Sequence, residues 1–222
     1  MLKLYFIGGE DVRKPGSAKI HEGLMHDSCR SVLVFPWTAP PSEKSKGWID
    51  TYHKFFLDAG AVVVRFADLY SSRRKVCEQI GASDLLYLPG GDPRILGENI
   101  RSKNVVSAIR AFDGVIAGNS AGAMVMSHRM IYLHGQDGEP QTSVGEGLSL
   151  ADISVSVHYG AEDRLDAGYG PDDDLASISE KRDIDVYAIP ETSAVVVEGN
   201  AISYYGDVFV FRNGNRLKIG AV

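Results

Sequence analysis

Between residues 4 and 117 the chain carries five short runs with almost no polar residue: Leu4–Ile7, Val32–Phe35, Ala61–Phe66, Leu85–Leu88 and Val115–Ala117. A strand with one wet face alternates apolar and polar residues, and a strand covered on both faces does not. Helical patterns separate the runs. Pro40 and Ser42 introduce one in which Trp48, Ile49, Tyr52, Phe55 and Phe56 recur on a face, and Gly60 ends it. Ser72–Ile80 reads as a second helix, and Val105, Ile109 and Phe112 mark a third. Strands apolar on both faces and separated by helices predict an α/β fold, a mostly parallel sheet with helices on both faces.

The second half changes character. Arg129–His134 and Ile153–His158 read as strands and Asp172–Arg182 as a helix. From Val186 onward only strands and turns follow: Val186–Ile189, Ala194–Glu198, Ile202–Tyr205, Val208–Arg212 and Leu217–Ile219. Gly199-Asn200 and Gly206-Asp207 have the composition of hairpin turns, so an antiparallel C-terminal flank is expected on the sheet. His21–Arg30 and Gly135–Gly147 read as irregular loops. No repeat or linker divides the chain, and 222 residues suffice for one core. The expected organisation is a single α/β domain over 1–222.

Ligands of open parallel sheets bind at the carboxyl ends of the strands. Directly after Val115–Ala117 stands Gly118-Asn119-Ser120-Ala121-Gly122, a G-x-S-x-G pattern followed by the small apolar stretch Ala121–Met126. An elbow of this kind turns from strand to helix within a few residues. It holds the serine in a strained conformation with its hydroxyl exposed, and the flanking small residues let strand and helix approach closely. A plain turn into a core helix shares the pattern. The strand before it and the buried helix after it favour a nucleophile.

A serine hydroxyl needs a base, a group to orient that base, and donors for the oxyanion. His158 ends an alternating strand and ranks first as base, ahead of His134 and His128. His21 and His26 fall in the loop at 21–30, and His53 on the polar side of a helix. The amide of Ala121 follows the serine, as elbow geometry supplies for an oxyanion hole. Pro89-Gly90-Gly91-Asp92-Pro93 follows another strand end, where two glycines let backbone amides approach a ligand. An ordinary Gly-Gly turn reads the same.

Other classes fall away. A net charge of −6 argues against general nucleic-acid binding, and Arg73-Arg74-Lys75, the one tight basic run, reads as a solvated helix start. No apolar run approaches the roughly 20 residues of a membrane span. Residues 1–9 are too short in their apolar part for a secretory signal and serve as the first strand. Cys29 and Cys77 form no CxxC, so neither a disulfide scaffold nor a zinc site is indicated, and a reducing cytoplasm is the expected setting. No metal and no cofactor is called for. Exposed strands near the C-terminus could pair with another copy into a homo-oligomer.

Four segments together resemble a known family. Leu88-Pro89-Gly90-Gly91-Asp92, Gly118-Asn119-Ser120-Ala121-Gly122-Ala123, Val157-His158-Tyr159 and Ile189-Pro190-Glu191 are similar, in their order and in the length of the chain, to the peptidase E (aspartyl dipeptidase) and cyanophycinase family of serine peptidases. The resemblance covers nearly the whole chain. It implies a class I glutamine-amidotransferase-like fold and hydrolysis of short peptides. It implies Ser120 as nucleophile, His158 as general base, Glu191 as third member, and the Gly91 and Ala121 amides as oxyanion hole. Asp137 is the competing acid. Gly90, Asp92 and Arg164 are the implied substrate-binding residues.

Departures bear on substrate. The dipeptidase E branch carries an arginine-rich segment after the histidine. Here that segment holds one arginine, Arg164, among Glu162, Asp163, Asp166, Asp172, Asp173 and Asp174. Such a loop disfavours anionic substrates and favours neutral or basic ones. Amidotransferases of this fold use cysteine at the elbow, and the serine here argues against glutaminase chemistry. Two other readings share the elbow: an esterase-like hydrolase, whose His-Gly-Gly oxyanion loop this chain lacks, and a binding protein that keeps the elbow as a fold feature.

Overall fold

The computed structural model describes residues 2–12, 18–27, 30–39, 43–136, 139–161 and 172–220, the side chains of 43–46, 133–136 and 139–141 aside. Among these residues the strands form two sheets. The first has seven strands in the order β11-β10-β1-β5-β4-β2-β3. They are β1 (Lys3–Ile7), β2 (Ser31–Val34), β3 (Val63–Phe66), β4 (Leu85–Leu88), β5 (Val115–Asn119), β10 (Ala194–Glu198) and β11 (Ala201–Tyr205). Strands β1 to β5 are mutually parallel, and β10 pairs antiparallel with β1. The second sheet has six strands in the order β13-β12-β9-β8-β6-β7. These are β6 (Arg129–Gln136), β7 (Glu139–Glu146), β8 (Ser154–Val157), β9 (Val186–Ile189), β12 (Asp207–Arg212) and β13 (Asn215–Gly220).

The antiparallel C-terminal flank is therefore shared between two sheets. Gly206 (φ +69°) does not close a hairpin but carries the chain from β11 in one sheet to β12 in the other. Hairpins of this region close at Gly199-Asn200, between the paired Glu198 and Ala201, and at Asn213-Gly214, both at positive φ, between the paired Arg212 and Asn215. Asn-Gly meets the needs of a two-residue turn whose twist matches its strands.

Alternation along the central strands sorts the core. Tyr5, Ile7, Val34, Leu85, Tyr87 and Ala117 face α1 (Ala18–Asp27) and α2 (Glu43–Asp58), against Ile20, Leu24, Tyr52 and Phe56. Leu4, Phe6, Leu33, Leu86, Leu88 and Ile116 face the opposite way. There they meet α3 (Arg73–Gly81), α4 (Pro93–Ser102), α5 (Val106–Arg110), α6 (Ala121–Met126) and the inner face of the second sheet, including Val155, Val157 and Ile189. The outer face of the second sheet is covered by α7 (Asp172–Arg182) through Leu175, which packs with Val186, Ala188 and Phe211. Helix α6 touches strands of both sheets, and all its residues are buried. No helix of the described residues is long and apolar enough to cross a membrane.

Two segments read as loops are regular. Residues 21–27 belong to α1, whose Ile20 and Leu24 stand one turn apart and are buried. Residues 139–146 form β7, the return strand of a hairpin with β6. Helix α4 was not anticipated, although Asp92 caps it and Pro93 opens it. These are ordinary start signals, hidden here inside a Gly-Gly motif.

Candidate active site

Ser120 joins β5 to α6 with φ +51° and ψ −109°, outside the regions a non-glycine residue prefers. Such strain costs roughly 1–3 kcal/mol and persists only where the surroundings enforce it. Here they do. The Ser120 amide donates to the Ile7 carbonyl at 2.9 Å, and its carbonyl accepts from the Met124 amide at 3.0 Å. A Cβ on Gly118 would lie 2.4 Å from the Gly122 carbonyl carbon, and one on Gly122 would lie 1.9 Å from the Leu88 carbonyl oxygen. Strand and helix thus touch backbone to backbone. Gly122→Ala is expected to cost about 3 kcal/mol, which for a chain of this size lowers Tm by roughly 6–12 °C. A calorimetric scan showing a Tm within a degree of the parent would contradict this packing.

Ser120 Oγ lies 2.7 Å from His158 Nε2, and His158 Nδ1 lies 2.8 Å from Glu191 Oε1. A carboxylate accepts only, so Nδ1 carries a proton and donates it to Glu191. In the neutral imidazole this leaves the Nε2 lone pair facing the serine hydroxyl. A relay of this form can take the proton from Oγ and hold the resulting imidazolium.

The three side chains come from both sheets. Ser120 follows β5 of the first. His158 follows β8 of the second, and Glu191 lies where the chain crosses from β9 to β10. His158 is 6% exposed and adopts φ +57°; its amide donates to the Gly8 carbonyl at 2.8 Å. Gly9 (φ +139°) brings bare backbone against the imidazole, and a Cβ there would sit 2.2 Å from His158 Cε1. Gly8 is equally crowded, 2.1 Å from the Pro190 carbonyl oxygen by the same construction. The Gly8-Gly9 pair was not singled out in the sequence. Both residues follow a parallel strand beside β5, and the strand-end rule that flagged Gly90-Gly91 applies to them equally.

Ser120 and His158 open into a cleft of about 520 Å³. Pro89, Gly90, Gly91, Asp92 and Ile95 form one wall, Pro36, Thr38 and Ala39 another, Trp48 and Tyr52 of α2 a third, and Glu10 and Asn119 adjoin the serine. Gly91 has φ +139°, and a Cβ on it would meet the Thr38 side chain at 2.5 Å. Ala121, the first residue of α6, is fully buried. Asp92 lines the cleft, but its carboxylate accepts from the Arg94 and Ile95 amides as the cap of α4 and pairs with the Arg94 guanidinium at 2.8 Å. The Arg94 side chain holds this carboxyl below the usual carboxylate range.

Among the described side chains, no other histidine lines the cleft. His128 Nδ1 approaches Ser149 Oγ at 3.1 Å. His134 belongs to β6, opposite Gln141, and its side chain lies outside the described residues, as do Asp137 and Arg164. Of the acids between Tyr159 and Glu180, Glu162, Asp163 and Asp166 also lie outside. Asp172 and Asp174 are engaged. Tyr159 donates its hydroxyl to Asp172, and Thr142 donates to Asp174.

Comparison with known proteins agrees with this architecture. The structure superposes on the crystal structure of a peptidase from an acI-B1 actinobacterium with a TM-score of 0.73 at 18% identity, over 99% of this chain and 94% of that one. It superposes on a putative peptidase E protein from Listeria monocytogenes EGD-e with a TM-score of 0.64 at 15% identity, over 92% of this chain and 98% of that one. No curated protein sequence matches the chain. The sequence model of peptidase family S51 matches residues 8–205, a span that runs from the Gly-Gly pair under His158 to the end of β11. The chain belongs to peptidase family S51, and it is a serine-type peptidase.

Proposed function

We propose that this peptidase hydrolyses short peptides through Ser120, His158 and Glu191. The observation that carries the reading is the continuous relay of 2.7 Å and 2.8 Å hydrogen bonds at the mouth of a cleft. Ser120 Oγ attacks the scissile carbonyl carbon as its proton passes to His158 Nε2. The tetrahedral oxyanion accepts from the Gly91 and Ala121 amides. Collapse breaks the C–N bond, and the Nε2 proton goes to the leaving amine. Water, deprotonated by the same nitrogen, then releases the acyl group and restores the serine. Glu191 keeps the imidazole in the required tautomer and balances its transient charge. Gly90 leaves the approach to Ser120 open.

A volume of about 520 Å³ suits a ligand the size of a dipeptide or tripeptide. The excess of acids after His158 in the sequence is the ground for expecting neutral or basic peptides over aspartyl ones. Two measurements test the reading. A fluorophosphonate probe is expected to modify the protein, with peptide mass spectrometry locating the adduct on Ser120. Adduct elsewhere, or none, overturns the nucleophile assignment and leaves the binding-protein alternative. With Asp-Ala, Ala-Ala and Lys-Ala as substrates, kcat/KM is expected to be lowest for Asp-Ala. A strong preference for Asp-Ala would restore aspartyl specificity with Arg164 as its reader.

A further inference from the structure

The cleft holds a carboxylate that the hydrolytic relay does not use. Glu10 follows the Gly8-Gly9 pair at the end of β1. Its backbone is clamped to the residue before the nucleophile: the Glu10 amide donates to Asn119 Oδ1 at 3.0 Å, and Asn119 Nδ2 donates to the Glu10 carbonyl at 3.1 Å. Glu10 lines the cleft together with Ser120 and His158, and its side chain is 3% exposed. Oε2 lies 2.6 Å from His21 Nε2, whose ring is held edge-on by Phe55 at 4.6 Å between centroids. Oε1 is shut from solvent and has no hydrogen-bond partner.

A buried carboxylate oxygen without a donor is costly, and one that a native structure retains calls for a functional explanation or an added donor. The chemistry of such a donor is narrow. Oε1 only accepts, so it calls for an N–H or O–H donor, and a cation best offsets the carboxylate charge. No lysine or arginine lines the cleft among the described residues, and Trp48 and Tyr52 add aromatic rings to its lining, a side-chain type that attracts cations. Asp92, the other acid of the wall, is already paired with Arg94.

We infer that Glu10, oriented by His21 and Asn119, is a specificity-determining residue that receives a cationic amine of the peptide substrate. That amine is either the free α-ammonium of the N-terminal residue or a basic side chain. The inference rests on Ser120 being the nucleophile of this cleft.

The test separates the two sources. Alanine p-nitroanilide is compared with its N-acetyl derivative, and N-acetyl-lysine p-nitroanilide with N-acetyl-norleucine p-nitroanilide. The parent protein is expected to favour the cationic member of at least one pair by about ten- to a hundredfold in kcat/KM. Preference in the first pair identifies the α-ammonium, and in the second the side chain. Glu10→Gln keeps the shape, removes the charge, and is expected to flatten that preference to about threefold or less. Absence of preference in both pairs, or a preference that survives Glu10→Gln, overturns the inference. A second measurement needs no variant. If the α-ammonium is the cation received, alaninamide should protect Ser120 of the parent from the fluorophosphonate at concentrations at least tenfold lower than N-acetylalaninamide; if the side chain is, N-acetyl-lysinamide should outdo N-acetyl-norleucinamide by the same factor. Equal protection within both pairs overturns the role of Glu10 while leaving the nucleophile in place, and a parent that takes no label at Ser120 removes the nucleophile reading and this one with it.

Discussion

Ser120→Ala is expected to reduce peptide hydrolysis on the order of 10³-fold or more without loss of fold. The substitution removes one oxygen and adds nothing. Alanine inherits the same φ of +51°, so the elbow strain is unchanged. The His158 ring loses its Nε2 partner but keeps Nδ1 on Glu191. The variant should therefore melt within a few degrees of the parent and retain its near-ultraviolet dichroism. Residual turnover would come from substrate binding and oxyanion donors alone. Activity within about tenfold of the parent would remove Ser120 from the mechanism.

The second large effect separates the base from the acid. His158→Ala should match the loss at Ser120, because base and nucleophile act as one unit and their removal is not additive. Glu191→Gln should cost less, by about tenfold or more, since the acid orients the imidazole and never moves the proton. The geometry supports that ordering. His158 is enclosed, whereas the Glu191 side chain is 37% exposed, so water can supply part of what the carboxylate supplied. A glutamine can still accept from Nδ1 through its amide oxygen, but flipped it donates instead and forces the wrong tautomer. Measured kcat/KM for the three variants decides. A harmless Glu191→Gln would move the third role to another acid, with Asp137 the first to examine.

The central strands were legible in the sequence because burial on both faces leaves a signal no loop produces: Leu85–Leu88 coincides with β4. The elbow was legible because close backbone packing demands small residues at fixed spacing. The split into two sheets was not. Gly206-Asp207 and Asn213-Gly214 both carry turn composition, and only pairing partners far along the chain reveal that one crosses between sheets and the other closes a hairpin. Helix α1 was missed for a similar reason. Its polar residues mask an apolar stripe of two buried positions, and what gives His21 and Asp27 meaning are partners on β1 and just after it. Glu10 carries no local signature at all. An acid after two glycines is common, and its burial against His21, itself packed on Phe55, exists only once α1 and α2 have packed.

Helix α6 lies between two sheets, and the proposed triad straddles them, with a consequence for biosynthesis. A ribosome releases Ser120 before it has made His158, and His158 before Glu191. Strand β1, whose end supports the imidazole through Gly8 and Gly9, has β10 as one of its neighbours, and β10 follows Glu191 in the chain. On the proposed triad an emerging chain therefore carries a serine that cannot yet act, and the relay is expected to close only when the crossing at 190–193 has folded between β9 and β10. Under the proposed triad, hydrolysis is thus expected to appear only once Glu191 has left the ribosome and folded against His158.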